Sequence, residues 1–103
     1  MIRVTAFYEN RPGSRFDMAY YCDRHTPMVL RLLGEACRGA TIDEGIGSAE
    51  PGAPARYVAM AHFLFDSIES FQAAFGASAE TIFADIPNYT DIQPVLQVSN
   101  VRI

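Results

Sequence analysis

Residues 56–65, RYVAMAHFLF, are the strongest predicted strand in the chain, and they constrain its fold more than any other segment. Side chains alternate along a strand, so Tyr57, Ala59, Ala61, Phe63 and Phe65 share one face. Val58, Met60, His62 and Leu64 share the other. A sheet covered by helices on one side alone alternates apolar and polar residues, whereas this strand is apolar on both sides. Both faces of its sheet are therefore expected to be covered.

The rest of the chain supplies helices for one face only. Residues 2–9 are rich in β-branched and aromatic side chains and stop at the turn formers of residues 10–14, which predicts a first strand. Asp17 is placed to cap a helix running to about Gly34, with Tyr21, Met28, Val29, Leu32 and Leu33 among its apolar positions. Pro27 lacks the N–H that would bond back to residue 23, so a kink or break is expected beside His25. A weaker strand follows at 38–46, then a loop dense in Gly and Pro at 47–54. After the strong strand, Asp66 and Glu69 fit a capping box. It opens a helix with Ile68, Phe71 and Phe75 on one stripe, a pause at Gly76, and Ile82, Phe83 and Ile86 beyond. Residues 87–91 read as a turn and 92–103 as a fourth strand. Phe16-Asp17 and Phe65-Asp66, each at the head of a predicted helix, echo one another as two halves of the chain.

The order β-α-β-β-α-β specifies an α+β, ferredoxin-like fold with a four-stranded antiparallel sheet, strands one and three central. Pro94 then belongs to an edge strand, which tolerates a residue that cannot donate to a ladder. Two helices cover one face, and the economical cover for the other is a second copy of the sheet about a two-fold axis. A homodimer forming a dimeric α/β barrel is the expectation.

Composition narrows the function classes. The 103 residues are 50% hydrophobic and 19% charged, with a net charge of −4, and all eight basic residues are arginine. With no lysine, side-chain Schiff-base catalysis and a phosphate loop ending in Gly-Lys-Ser/Thr are excluded, and the acidic balance argues against nucleic acid. No apolar run approaches the ~18 residues that span a bilayer, so no membrane partner is expected. The helix predicted between Cys22 and Cys37 holds them too far apart for a disulfide. Free thiols and an N-terminus that reads as a strand point to the cytoplasm.

Three segments carry a family resemblance. FDMAYYCDRHTPM at 16–28 resembles the F-D-x-x-Y-Y-x-x-x-H-x-P-[LM] signature of the EthD family, small proteins named for ethyl tert-butyl ether degradation. YVAMAHFLFDS at 57–67 and ADIPNYTDIQPV at 84–95 resemble that family's central strand and C-terminal turn. The resemblance implies a dimeric α/β barrel. Its founding member accompanies a cytochrome monooxygenase system, and other relatives resemble dehydratases or cyclases acting on aromatic polyketides, so membership alone fixes no reaction.

His25 is the first candidate for chemistry, since it shares a helical stripe with Tyr21 and Leu32 facing the sheet. Its near-neutral pKa suits a general acid or base. Orienting a ligand, or bridging backbone groups freed by Pro27, are the other roles open to it. Tyr20 and Tyr21 point about 100° apart on a helix; Tyr21, four residues before His25, is the better site candidate, with core packing as its alternative. Asp85 either stabilises the turn around Pro87 or orients His25 across a pocket, while Asn88 and Thr90 read as turn residues. Tyr89, in the same turn, is a ligand-binding candidate.

Two small residues on the helix side, Ala59 and Ala61, leave room for either a cavity or a tightly filled core. The cavity walls would be Phe7 or Tyr8, with Phe63, Phe71 and Phe75. His62 is assigned to the dimer side, so a two-histidine metal site is not expected. Gly45 and Gly47 lack the third glycine of a dinucleotide fingerprint, and Cys22 has no evident activation. No metal or cofactor is expected. The leading expectation is a small, apolar, oxygen-bearing ligand bound between helices and sheet, with cofactor-free proton transfer at His25. The rivals are a non-catalytic accessory or ligand carrier and a purely structural dimer.

Overall fold

Four antiparallel strands in the order β2-β3-β1-β4 form the sheet of the computed structural model, which describes residues 1–103. The chain runs β1 (Ile2–Glu9), α1 (Met18–Tyr20), a π-helical turn (Tyr21–His25), α2 (Thr26–Leu33), β2 (Gly39–Glu44), β3 (Tyr57–Phe65), α3 (Ile68–Ala84) and β4 (Val95–Asn100). This is the α+β, ferredoxin-like arrangement, with β1 and β3 central. No helix is long and apolar enough to cross a membrane.

The helices cover one face of the sheet. Ile2, Val4, Ala6 and Tyr8 of β1 and Ala59, Ala61 and Phe65 of β3 are buried beneath Tyr21, Val29, Leu33 and Ile82. Two adjoining clusters result. One is built on Tyr8, Tyr21 and Tyr89, the other on Phe65, Val29, Leu33 and Ile82.

The first helix is continuous through Pro27, where a kink or break was expected. Asp17 caps it, accepting a bond from the Tyr20 N–H at 3.0 Å. The next turn widens, so that the Thr26 N–H bonds to the Tyr21 carbonyl five residues back, and Pro27 falls in the first turn of the following α-helix, where its missing donor costs little. The wide turn also shifts the inward stripe. Tyr21, His25, Val29 and Leu33 face the core at intervals of four, while Leu32, expected beside His25, is 40% exposed. Gly34 ends α2 with φ +61°, a conformation that favours glycine.

Four other expectations are corrected. The cap of α3 is Ser67 and not Asp66: Ser67 and Ser70 form the reciprocal capping box, and Asp66 instead pairs with Arg38 at 2.9 Å. The helix continues without a pause at Gly76, and Ile68 is 46% exposed. Its inward stripe starts at Phe71. The fourth strand spans Val95–Asn100, so Pro94 precedes it and removes no ladder bond.

The face turned away from the helices is half-covered and mixed in character. A β-bulge at the Tyr8/Glu9 pairing interrupts the alternation of β3, placing Tyr57 against Phe7 on this face with ring centroids 5.0 Å apart, while Val58 packs on the tyrosine cluster. Both residues thus lie opposite to the sides assigned by strict alternation. Register sets Thr41, His62, Thr5 and Gln97 in one polar row across all four strands, beside a row containing Met60, Phe7 and Val95. The apolar character read from β3 holds for one end of the face and not for its middle.

Candidate active site

His25 sits in the last position of the π-helical turn, and the widened turn aligns it with Tyr21. The two rings stack with centroids 5.3 Å apart and planes at 17°. Tyr89, fully buried at the end of the turn after α3, closes over them with its ring centroid 4.5 Å from that of His25. Its position is fixed at both flanks by long-range bonds: Asp17 N–H donates to the Tyr89 carbonyl at 2.8 Å, and the Thr90 hydroxyl donates to the Arg15 carbonyl at 2.6 Å.

Asp85 stands behind His25. Its Oδ2 lies 2.9 Å from His25 Nδ1, and its Oδ1 accepts from the Tyr20 hydroxyl at 2.8 Å and from Asn88 Nδ2 at 2.9 Å. Burial pushes the Asp85 carboxyl up, but the donors Asn88, His25 and Tyr20 together outweigh it and hold the group below the usual carboxylate range. Burial pushes His25 down, only partly opposed by the bond and charge of Asp85. A neutral imidazole beside an ionised aspartate follows. The Nδ1–H donates to Asp85, and Nε2 is the basic nitrogen with no partner in the chain.

A cavity of about 60 Å³ opens beside this pair, lined by 17 residues of which 15 are hydrophobic. His25, Tyr21, Tyr8, Tyr89, Phe63, Phe71 and Phe75 all line it. Asp85 does not line it and is joined to it by its bond to His25. Ala59 and Ala61 do not line it either: Tyr21 and Tyr89 pack over them, and Val4 and Ala6 of β1 contribute instead. Phe7 faces the opposite side with Tyr57. Phe83 and Leu96, both more than 40% exposed, line the cavity as well, so it reaches the surface between α3 and β4.

Three phenols supply polar atoms. The Tyr8 and Tyr89 hydroxyls lie 2.7 Å apart, and Tyr21 also interacts with Tyr8. Burial raises the pKa of all three, so each keeps its proton at neutral pH. One bond between Tyr8 and Tyr89 uses one of their two protons, which leaves a further O–H for a neighbour or ligand.

Tyr20 and Asn88 were not recognised as site residues from sequence. Tyr20 lies off the cavity, as its angular offset from Tyr21 requires, yet it reaches Asp85 from the outer side. Asn88 follows Asp85 by three residues, the span of one 3₁₀ turn (Ile86–Asn88), and that spacing was the available signal. His62 is on the face away from the helices, bonded to Thr5 and Asp43. No group of three or more His, Cys, Asp or Glu side chains is arranged to hold a metal ion, and Cys22 and Cys37 are free thiols.

Comparison with known proteins agrees with this architecture. The EthD domain model matches residues 14–93, a span containing His25, Asp85 and Tyr89. The crystal structure of an EthD-like protein from Ralstonia eutropha JMP134 is 49% identical, with a TM-score of 0.95, covering 99% of this chain and 92% of that one. An ethyl tert-butyl ether degradation (EthD) family protein from Bacillus halodurans C-125 superposes with a TM-score of 0.69 at 19% identity, covering 98% of each chain. HapK from Hahella chejuensis shares the fold at a TM-score of 0.56 and 12% identity, covering 100% of this chain and 95% of that one. No curated protein matches the sequence significantly. With the family model matched over residues 14–93 and a 49% identical relative aligned over 99% of this chain and 92% of its own, the chain belongs to the EthD family.

Proposed function

We propose that the cavity binds a small, largely apolar, oxygen-bearing compound (an ether, aromatic ketone or polyketide-like molecule) and that His25 transfers a proton to or from it without a cofactor. The observation that carries this reading is the partner-free Nε2 of a neutral His25, backed by Asp85 and placed at an otherwise apolar cavity. Such a site has the composition expected for small-molecule binding: apolar walls with a few convergent polar groups.

For a ketone, Nε2 takes a proton from the carbon next to the carbonyl, the C–H electron pair forms a double bond to the carbonyl carbon, and the carbonyl π pair moves to the oxygen. A tyrosine O–H donates to that oxygen as its charge develops, and Asp85 stabilises the imidazolium formed. The proton then returns to another carbon, giving an isomerase, or to a departing hydroxyl, which leaves as water in a lyase. The alternative is a carrier or accessory protein, supporting a monooxygenase system, in which His25 and the phenols orient the bound molecule and no bond changes. Turnover of aromatic ketones with a rate that falls as His25 is protonated supports the enzyme; saturable binding with no turnover of any candidate supports the carrier.

The same reading includes a homodimer built through the sheet face that the helices leave open, whose Phe7, Tyr57 and Met60 are only partly covered within one chain. Sedimentation equilibrium tests this. A mass that stays at one chain across the concentration range rejects it.

A further inference from the structure

Tyr20 does not line the cavity, yet it is tied to the residues that do. Its ring stacks on that of Tyr89, with centroids 6.3 Å apart and planes at 20°, and its hydroxyl donates to Asp85 Oδ1 at 2.8 Å. The helix cap fixes this approach, since the Tyr20 N–H donates to the Asp17 side chain at 3.0 Å. Asn88, from the 3₁₀ turn after α3, donates to the same Oδ1 at 2.9 Å. Two donors thus converge on one oxygen. A carboxylate oxygen offers about two lone pairs, so Oδ1 is spent and Oδ2 is left to His25 Nδ1 alone.

This division of the carboxylate bears on the imidazole. Charge drawn toward donors on Oδ1 is charge withheld from the ring on Oδ2. The other groups around His25 do not compensate: Tyr21 in its own turn, Tyr89 after α3 and Tyr8 of β1 all keep their protons, and Arg24, in the same turn, acts on Tyr20. Asp85 is the one charge that acts on the ring. Of its two outer donors, Asn88 is exposed, so water competes for its amide, whereas Tyr20 is half-buried. The bond to the carboxylate also raises the Tyr20 pKa, which keeps the phenol protonated as a donor.

We propose that Tyr20 is a positioning residue for His25, acting through Asp85: by occupying Oδ1 it limits the pull of the carboxylate on the imidazole and keeps Nε2 unprotonated. The effect on the ring is a property of the free chain. Its consequence for chemistry rests on the proposed role of Nε2, in that a more weakly held proton leaves more of the base available at neutral pH.

The test is nitrogen-15 NMR titration of His25 in the full chain without ligand, for the native sequence, Tyr20→Phe and Asn88→Ala. Tyr20→Phe keeps the ring that stacks on Tyr89 and removes only the hydroxyl. The His25 pKa is expected to rise by about 0.5 in Tyr20→Phe, with the Nδ1–H proton resonance retained and moved downfield as the bond to Asp85 tightens. Asn88→Ala is expected to move both in the same direction by less. An unchanged or lowered His25 pKa in Tyr20→Phe, a larger rise in Asn88→Ala, or a rise accompanied by loss of the Nδ1–H resonance, the mark of a ring opened to water, overturns the proposal. No substrate enters the measurement, so a failure of the proton-transfer reading leaves these shifts in place, and a failure here leaves that reading standing.

Discussion

His25 Nδ1 and Asp85 Oδ2 stand 2.9 Å apart although sixty residues separate them in the chain. The contact joins the π-helical turn of the first helix to the end of α3, and it fixes which ring nitrogen carries the proton. Replacing Asp85 by Asn keeps the shape but removes the charge that selects the Nδ1–H tautomer and stabilises an imidazolium. Asp85→Asn is expected to cost about 1–3 kcal/mol in stability, as charge-assisted bonds from three donors are weakened. If the site performs proton transfer, the rate falls about 100-fold or more. Nitrogen-15 shifts of His25 and denaturant unfolding check the two effects separately.

Stability is expected to decline on acidification in two windows. Burial lowers the folded pKa of His25 below its ordinary value of about 6.5, so between the two values the unfolded chain binds more protons, and stability drops as pH falls below about 6.5. The Asp85 carboxyl is also held low, by bonds from Asn88, His25 and Tyr20 that outweigh its burial, so further stability is lost as pH falls below about 4. Urea unfolding at intervals from pH 3 to 8 measures both. His25→Gln is expected to abolish the upper window and to narrow the lower one, which then rests on the Asn88 and Tyr20 bonds to Asp85.

The Tyr8 and Tyr89 hydroxyls, 2.7 Å apart among buried rings, are expected to be strongly coupled. Tyr8→Phe or Tyr89→Phe alone leaves the other hydroxyl without its partner and is expected to cost about 1–3 kcal/mol. The double replacement removes both polar groups, so it is expected to cost less than the sum of the two, a deficit that a double-mutant cycle reads directly. Additive losses would show that the two phenols do not act as a pair.

Much of this architecture is legible in the residues. Strand alternation, the Asp17 cap and the turn after α3 follow from local chemistry, and the placement of His25, Tyr21 and the aromatic wall on the helix-covered face follows from them. The differences arise where a non-local or irregular feature wins. Pro27 is accommodated by one wide turn, because Thr26 can bond five residues back, and that turn moves Leu32 outward in favour of Val29 and Leu33. A bulge exchanges the faces of Tyr57 and Val58, which no alternation count reveals. At the head of α3, Asp66 and Ser67 are both good caps, and the long-range pull of Arg38 on Asp66 leaves the role to Ser67. Tyr20 reaching Asp85 across 65 residues is likewise a product of tertiary packing.

The central claim is that His25 Nε2 serves a ligand in the cavity. Its most direct test is titration of the chain with acetophenone while the Nε2 resonance of His25 is followed by nitrogen-15 NMR. A saturable shift of that nitrogen is expected, together with its loss in Val29→Phe, which fills the cavity from α2. An Nε2 resonance unmoved at saturating acetophenone, or an undiminished shift in Val29→Phe, contradicts the account.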